Sequence, residues 1–322
     1  MLKKTLLLAA SALAAASAPA SAHNLWLLPS ITVLSNTGQT VTVDAGASTH
    51  AFEPNHAAVG SEQVRVREPD GTQGSVTNAA KLANRAVFDV AIDKEGTWRI
   101  GMTREGISGR FKVNGEDWMV GGRRGPPPGA ASGAPPRGGA QGPRPGEGGR
   151  EGGPGGPGAP AGPGGPGGRM RIDPAHMVAS VADIPAGATD LDLTESASTN
   201  EFFVTAGNPT PASFTPTGKG LEFVPETMPT DLVAGEAARF RFLVDGKPAA
   251  GLKVEVIPGP ARFFEAADTQ TLTTDANGVL TVTWTKPGFY WLNTEYADSK
   301  PSDSHAQKRK LGYTATLEVV AP

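Results

Sequence analysis

The sequence predicts an all-β protein: two immunoglobulin/prealbumin-like β-sandwich domains, with a disordered Gly/Pro-rich insertion in the first. Three observations predict it. Short alternating runs rich in β-branched and aromatic residues recur along the chain, each bounded by turn residues, as in a sandwich. Few windows hold the helical 3.6-residue period. The excess of Gly and Pro is local: residues 121–168 hold 21 Gly and 12 Pro, and all 12 Phe, 5 Trp and 3 Tyr lie outside them.

In chain order, residues 1–22 read as an export signal. Lys3 and Lys4 form a basic start, Leu6 to about Ala16 an apolar stretch, and Ala20-Ser21-Ala22 a small-x-small cleavage site. The apolar stretch is too short for a spanning anchor, and no other stretch approaches about 18 apolar residues. The expected location is the periplasm, with no transmembrane segment in the mature protein. Cutting after Ala22 makes His23 the first mature residue. Its free amine and imidazole Nδ1 can then chelate one metal ion, because an amine of pKa about 7.7–8.0 gives up its proton to a metal near neutral pH.

The first sandwich domain is expected over residues 23–220. Its strands are Thr40–Asp44, Val64–Arg67, Ala86–Ile92, Thr97–Met102 and Gly109–Val113, with Glu68-Pro69-Asp70-Gly71 a turn and Ala79–Arg85 a short turn of helix at best. The insertion, 121–171, has too little apolar content to repay its ordering and is expected to be disordered. Strand signals return at Met177–Ser180 and Glu201–Thr205. The second domain, 221–322, contains Leu221–Val224, Ala238–Val244, Leu252–Ile257, Val279–Trp284, Gly288–Leu292 and Tyr313–Val319, about the size of an immunoglobulin-like sandwich. The turns Asp245-Gly246-Lys247-Pro248 and Thr273-Thr274-Asp275-Ala276-Asn277-Gly278 resemble those of prealbumin-like modules in secreted bacterial proteins.

Composition excludes several chemistries. The chain has no Cys, so it has no disulfide, thiolate metal site or Cys nucleophile. Net charge is −3, although Lys3, Lys4 and five Arg against two Glu sit in the signal and the insertion, so the folded body is more acidic than the whole. An acidic body argues against nucleic acid and suits cations. G-x-S-x-G and H-E-x-x-H are absent, and no strand–GxGxxG–helix context cradles a phosphate. No catalytic residue is assigned, and the chain is read as a non-enzyme.

Histidine is scarce, so each can be weighed. His50 and His56 lie in Ser48-Thr49-His50-Ala51-Phe52-Glu53-Pro54-Asn55-His56, a loop following a strand. If the loop folds back, the two imidazoles converge with Glu53 between them, and imidazole suits Ni, Co, Cu, Zn and Fe. An exposed loop with two unrelated His fits the spacing equally. His305 lies in the polar loop Asp298–His305 and is a further candidate ligand; His176 follows the insertion. The candidate metal ligands are therefore His23, His56, His50, Glu53 and His305. An N-terminal His with a second His on a β-sandwich is also the copper brace of oxidative polysaccharide-cleaving enzymes, which this chain resembles in that feature alone.

A set of motifs resembles one bacterial family. They are Ala22-His23-Asn24-Leu25-Trp26-Leu27-Leu28-Pro29, Phe52-Glu53-Pro54-Asn55-His56, the T-D-x-x-G turn, Pro287-Gly288-Phe289-Tyr290-Trp291-Leu292-Asn293 and the ending Tyr313–Val319. Together they resemble the periplasmic domain-of-unknown-function family 4198, often described as a component associated with nickel or cobalt uptake and found near outer-membrane iron or metal receptors. The resemblance implies a transition-metal ion (Ni, Co, Cu or Fe), with His23 and Asn55-His56 matching the family pattern best. It also implies an inner-membrane transporter or an outer-membrane receptor as partner. The other reading is a structural or interaction module of the cell envelope in which the His are incidental.

Overall fold

The computed structural model describes residues 24–121, 172–259 and 268–322. The expected signal, His23 and the insertion beyond Gly121 lie outside the described residues. The strands are β1 (Asn24–Pro29), β2 (Val33–Leu34), β3 (Gln39–Ser48), β4 (Ala57–Ala58), β5 (Arg65–Arg67), β6 (Gln73–Gly74), β7 (Thr77–Lys81), β8 (Ala86–Ile92), β9 (Gly96–Val113) and β10 (Glu116–Val120). They continue with β11 (Met177–Val178), β12 (Thr189–Ala206), β13 (Leu221–Pro225), β14 (Ala237–Val244), β15 (Lys247–Pro248), β16 (Lys253–Gly259), β17 (Gln270–Thr273), β18 (Val279–Thr283), β19 (Gly288–Asp298) and β20 (Lys308–Val319). The protein is all-β, as expected. Among the described residues the helical turns are short 3₁₀ pieces, and no helix is long and apolar enough to cross a membrane.

Contacts group the chain into two units. The first holds the described residues of Met1–Glu105, Ser196–Asp298 and Lys310–Pro322; the second holds those of Gly106–Glu195 and Ser299–Arg309. The position expected as a domain boundary, residue 220, falls inside the first unit.

The first unit is built in layers around one shared sheet, in which β9, β12, β20, β19, β16 and β17 are successive neighbours and β5 pairs with β9. The period of two along a strand sends alternate side chains to opposite faces. On β12, Phe202, Val204 and Ala206 enter a core with Trp98, Ile100 and Met102 of β9 and with Val41, Val43, Phe88 and Val90 of the sheet β1-β3-β8-β7. Phe203 points the other way, into a core with Tyr313, Leu317, Val254 and Leu292. That core is capped by Phe223, Phe240, Phe242 and Leu280 of the sheet formed by β13, β14 and β18. Asn200–Ala206 is therefore buried throughout, reading as a continuous run instead of an alternation.

Strand β1 lies at the edge of its sheet, where unpaired carbonyls would invite another chain. Side chains from the shared sheet cover it. The Leu25 carbonyl accepts from Asn200 Nδ2 at 2.7 Å and Trp291 Nε1 at 3.0 Å, and the Leu27 carbonyl from Thr316 Oγ1 at 2.6 Å. Just after β1, Thr32 donates from both N and Oγ1 to Glu318 Oε2, at 2.8 and 2.7 Å.

The turns follow their residue types. Asp245 and Gly246, at φ 50 and 73, make the hairpin between β14 and β15. Gly278, at φ +72, closes the T-D-x-x-G turn; a Cβ there would stand 2.5 Å from the Phe242 carbonyl oxygen. Asp275 ties this turn by accepting from the Val279 and Asn277 amides, and those bonds hold its carboxyl below the usual range.

The second unit has its own small core: Phe111, Val120, Val178, Leu193 and Ala306. Strand β10 pairs antiparallel with β9 and parallel with β11. His176 stacks on Trp118 at 4.7 Å between centroids, with Nε2 3.6 Å from Glu116. Glu116 and Asp117 are exposed.

Two elements differ from the sequence reading. The segment expected to make a short helical turn begins within β7, whose five residues are all exposed. An edge strand with neither face buried leaves no apolar alternation to read. Strand β9 is one strand of 18 residues where two were expected, because its middle, Thr103–Gly106, is exposed and polar.

Candidate functional site

The loop carrying His50, Glu53 and His56 does fold back. The Glu53 amide donates to the His50 carbonyl at 3.3 Å, and the Asn55 amide to the Glu53 carbonyl at 2.8 Å. Asn55 Oδ1 accepts from the Thr49 amide at 3.3 Å, closing the loop on its own base. Ala51 and Phe52 turn inward to join Trp26 and Trp291, with Leu28, Ile257 and Phe289 packed around them. The Phe52 ring meets Trp26 edge-on at 6.1 Å, and Phe52 holds φ 64, a left-handed conformation that a bulky residue adopts only when its surroundings enforce it. His50 and His56 are carried outward, exposed, and Glu53 is half-buried.

Trp26 is the wall behind this loop. It is 1% exposed, and Gly46 leaves room for it: a Cβ at 46 would lie 2.6 Å from Trp26 Cζ2. Its Nε1 donates to Ser48 Oγ at 2.7 Å, and that hydroxyl donates to the His50 carbonyl. At the same end, Asn24 pairs with Ser48 and its Nδ2 donates to the Thr49 carbonyl at 3.4 Å. His305 belongs to the second unit, is exposed, and has its ring Nδ1 2.8 Å from Asp303 Oδ1. Its backbone N–H and ring hold the Asp303 carboxyl below the usual range. Among the described residues, no three His, Asp or Glu side chains gather so as to hold a metal ion.

A second site escaped sequence reading. On the first unit a cavity of about 450 Å³ opens over the face of β5, β9, β12 and β20 that β13 and its sheet leave uncovered. At its floor, Arg99 Nε and Nη2 fork onto Glu201 at 3.0 and 2.6 Å, and Arg99 Nη1 donates to the Ser213 carbonyl at 3.0 Å. The guanidinium lies 5.3 Å from the Phe214 ring centroid. Tyr313 Oη donates to Glu201 Oε1 at 2.8 Å. Burial would lower the Arg99 pKa, but the Glu201 charge and hydrogen bonds outweigh it and raise it. Burial first, and then the Glu201 charge, push the Tyr313 phenol well above its ordinary range. The sequence signal for this site, alternate charges at Arg65, Arg67 and Arg99, looks like any solvated strand face until the strands are paired.

The family model described as "Domain of unknown function (DUF4198)" matches residues 20–298. The chain belongs to this family. The match takes in β1, the 49–56 loop and the arginines of the cavity, while Tyr313 of this DUF4198 chain lies beyond it. No curated protein matches the chain. Among solved structures, the D0-D1 domain of intimin is 9% identical, with 91% of this chain and 97% of that chain covered and a TM-score of 0.17. The Bacillus anthracis TIE protein is 9% identical, with 95% of this chain and 41% of that chain covered and a TM-score of 0.15. At such scores neither likeness carries an argument.

The raised Tyr313 pKa has a consequence at high pH. An unfolded Tyr ionises near pH 10, whereas the folded one resists ionisation. Below about pH 10 the phenol is neutral in both states and its contribution is complete; as pH rises beyond, the unfolded state alone sheds the proton and stability falls. Denaturant unfolding between about pH 9 and 11 should show this loss, and Tyr313→Phe should flatten it. An unchanged slope in the variant would refute the assignment.

Proposed function

We propose that the protein is a periplasmic transition-metal-binding protein associated with metal uptake, and that the ion sits where the amino end of β1 meets the 49–56 loop. One observation carries this reading. Asn24, the residue bonded to His23, pairs with Ser48 and hydrogen-bonds Thr49, at the base of the loop that bears His50 and His56. Asn24 itself lies beside that loop, and a mature N-terminal His23 would reach the loop from the adjoining position. The loop bears His50, Glu53 and His56, which the described structure does not gather around one ion; in this reading the His23 amine and imidazole form the chelate, and a loop imidazole joins it. Nitrogen donors with one carboxylate suit Ni, Co, Cu or Fe. The His305 ring is engaged by Asp303 and is not used.

The ion would pass to an inner-membrane transporter or be received from an outer-membrane receptor. The test is elemental mass spectrometry of protein exported and processed in bacteria, beside a form retaining one extra residue before His23. A near-stoichiometric metal is expected in the first, falling in the second and in His56→Ala. Absence of metal from every form after exposure to Ni, Co, Cu, Zn and Fe would overturn the reading and favour an interaction module.

A further inference from the structure

The cavity over β5, β9 and β12 has its charges arranged against the ordinary rule for sheets. Arg67 on β5 stands directly opposite Arg99 on β9 in the antiparallel ladder. Like charges at opposed positions destabilise a sheet, so an arrangement of this kind points to work outside the fold. Among the described residues, a carboxylate pairs with Arg99 and none pairs with Arg67. Glu201 takes both forks of Arg99 and the Tyr313 phenol besides, so its charge is committed. Glu222 is oriented by neutral donors, its carboxylate accepting from Thr217 N, Thr217 Oγ1 and Gly218 N at 2.6 to 2.9 Å, and its charge acts on Arg99.

Among the described residues, no carboxylate forms an ion pair with any of three cations of the lining. Arg65, Arg67 and Lys219 are exposed at the mouth. Arg65 Nη1 is oriented by the Glu62 and Val64 carbonyls, both at 3.2 Å, which fixes its direction and leaves its charge unanswered. Gly101, between Arg99 and Thr103 on the same face, keeps the floor open; a Cβ there would fall 2.4 Å from the Asn200 carbonyl oxygen. Phe214, Phe223 and Leu221 give one apolar wall. A volume of about 450 Å³ lies in the range of small-molecule sites.

We propose that this cavity binds a small organic polyanion bearing two or more carboxylate or phosphate groups, with Arg65, Arg67 and Lys219 as the charge partners. Guanidinium forks match planar oxyanions through paired hydrogen bonds, and Lys219 of the lining adds a point charge. The lining carboxylate of Glu105 suits a hydroxyl donor on the ligand, so a hydroxy-carboxylate fits better than a plain dicarboxylate. This site is separate from the 49–56 loop and does not depend on a metal.

The test is calorimetric titration of the mature, full-length protein in metal-free buffer with citrate, succinate and pyrophosphate. Citrate should bind more tightly than succinate, with affinity falling as salt is raised, and Arg67→Gln or Lys219→Gln should weaken it roughly tenfold or more. Binding of pyrophosphate in preference to citrate would assign the phosphate chemistry instead of the carboxylate. His56→Ala and the exposed-strand variant Lys81→Gln should leave it unchanged, which separates this site from the metal reading. Circular dichroism of each variant would show that the fold is kept. No heat from any of the three anions, or equal binding by Arg67→Gln and the parent, would overturn the proposal.

Discussion

Glu201→Ala is expected to lower the unfolding free energy by about 3–5 kcal/mol, the range for removing one partner of a buried ion pair. Its carboxylate is the single acceptor on which both Arg99 forks and the Tyr313 phenol converge. Without it, a guanidinium whose side chain is 21% exposed and a phenol that is 2% exposed lose their shared carboxylate, and the guanidinium keeps only neutral contacts with the Ser213 carbonyl and the Phe214 ring. The loss is large against a typical total of about 5–15 kcal/mol. Glu201→Gln should cost less, because its amide oxygen still accepts from Tyr313. The double variant Arg99→Leu, Glu201→Leu should recover part of the loss, since apolar groups of similar volume replace a buried pair with little penalty. Denaturant melts of the four proteins decide it; a Glu201→Ala variant within about 1 kcal/mol of the parent would show that the pair is solvated in solution.

The same cluster shows where sequence reading stops. The all-β class was legible because apolar alternation is a local property: Val41 and Val43, or Phe240 and Phe242, announce a buried face within a few residues. The sharing of one sheet between two cores was not. Phe202 and Phe203 are neighbours that serve different cores, and nothing local distinguishes them from a strand buried in one sandwich. The loop 49–56 was legible as a loop, since Pro54 and the end of β3 mark it, while the spacing left open whether its two His converge or stand apart. Its packing was not, because the inward turn of Phe52 depends on Gly259, some two hundred residues on, where a Cβ would stand 2.0 Å from the ring. The cavity was invisible for the same reason: opposition of Arg67 and Arg99 is a matter of register between strands far apart in the chain.

Trp26→Ala should be the other severe variant, costing about 3–5 kcal/mol as a large aromatic removed from a packed site. The ring fills the space that Gly46 leaves, meets Phe52 edge-on, and is 1% exposed. Its loss opens a cavity that β1, held at a sheet edge by side-chain bonds to Leu25 and Leu27, cannot close without breaking them. Trp26→Phe separates packing from hydrogen bonding. It keeps most of the apolar volume but leaves Ser48 Oγ without the indole donor, at about 1 kcal/mol for the lost bond. Because that hydroxyl also holds the His50 carbonyl, Trp26→Phe should fold and yet bind metal less tightly than the parent, if the ion sits at the 49–56 loop. Thermal melts and metal titrations of the two variants test both halves. Equal stability of Trp26→Ala and the parent would contradict the packing argument. Unchanged metal affinity in a folded Trp26→Phe would break the link between the β1 wall and the loop, and leave Trp26 a core residue only.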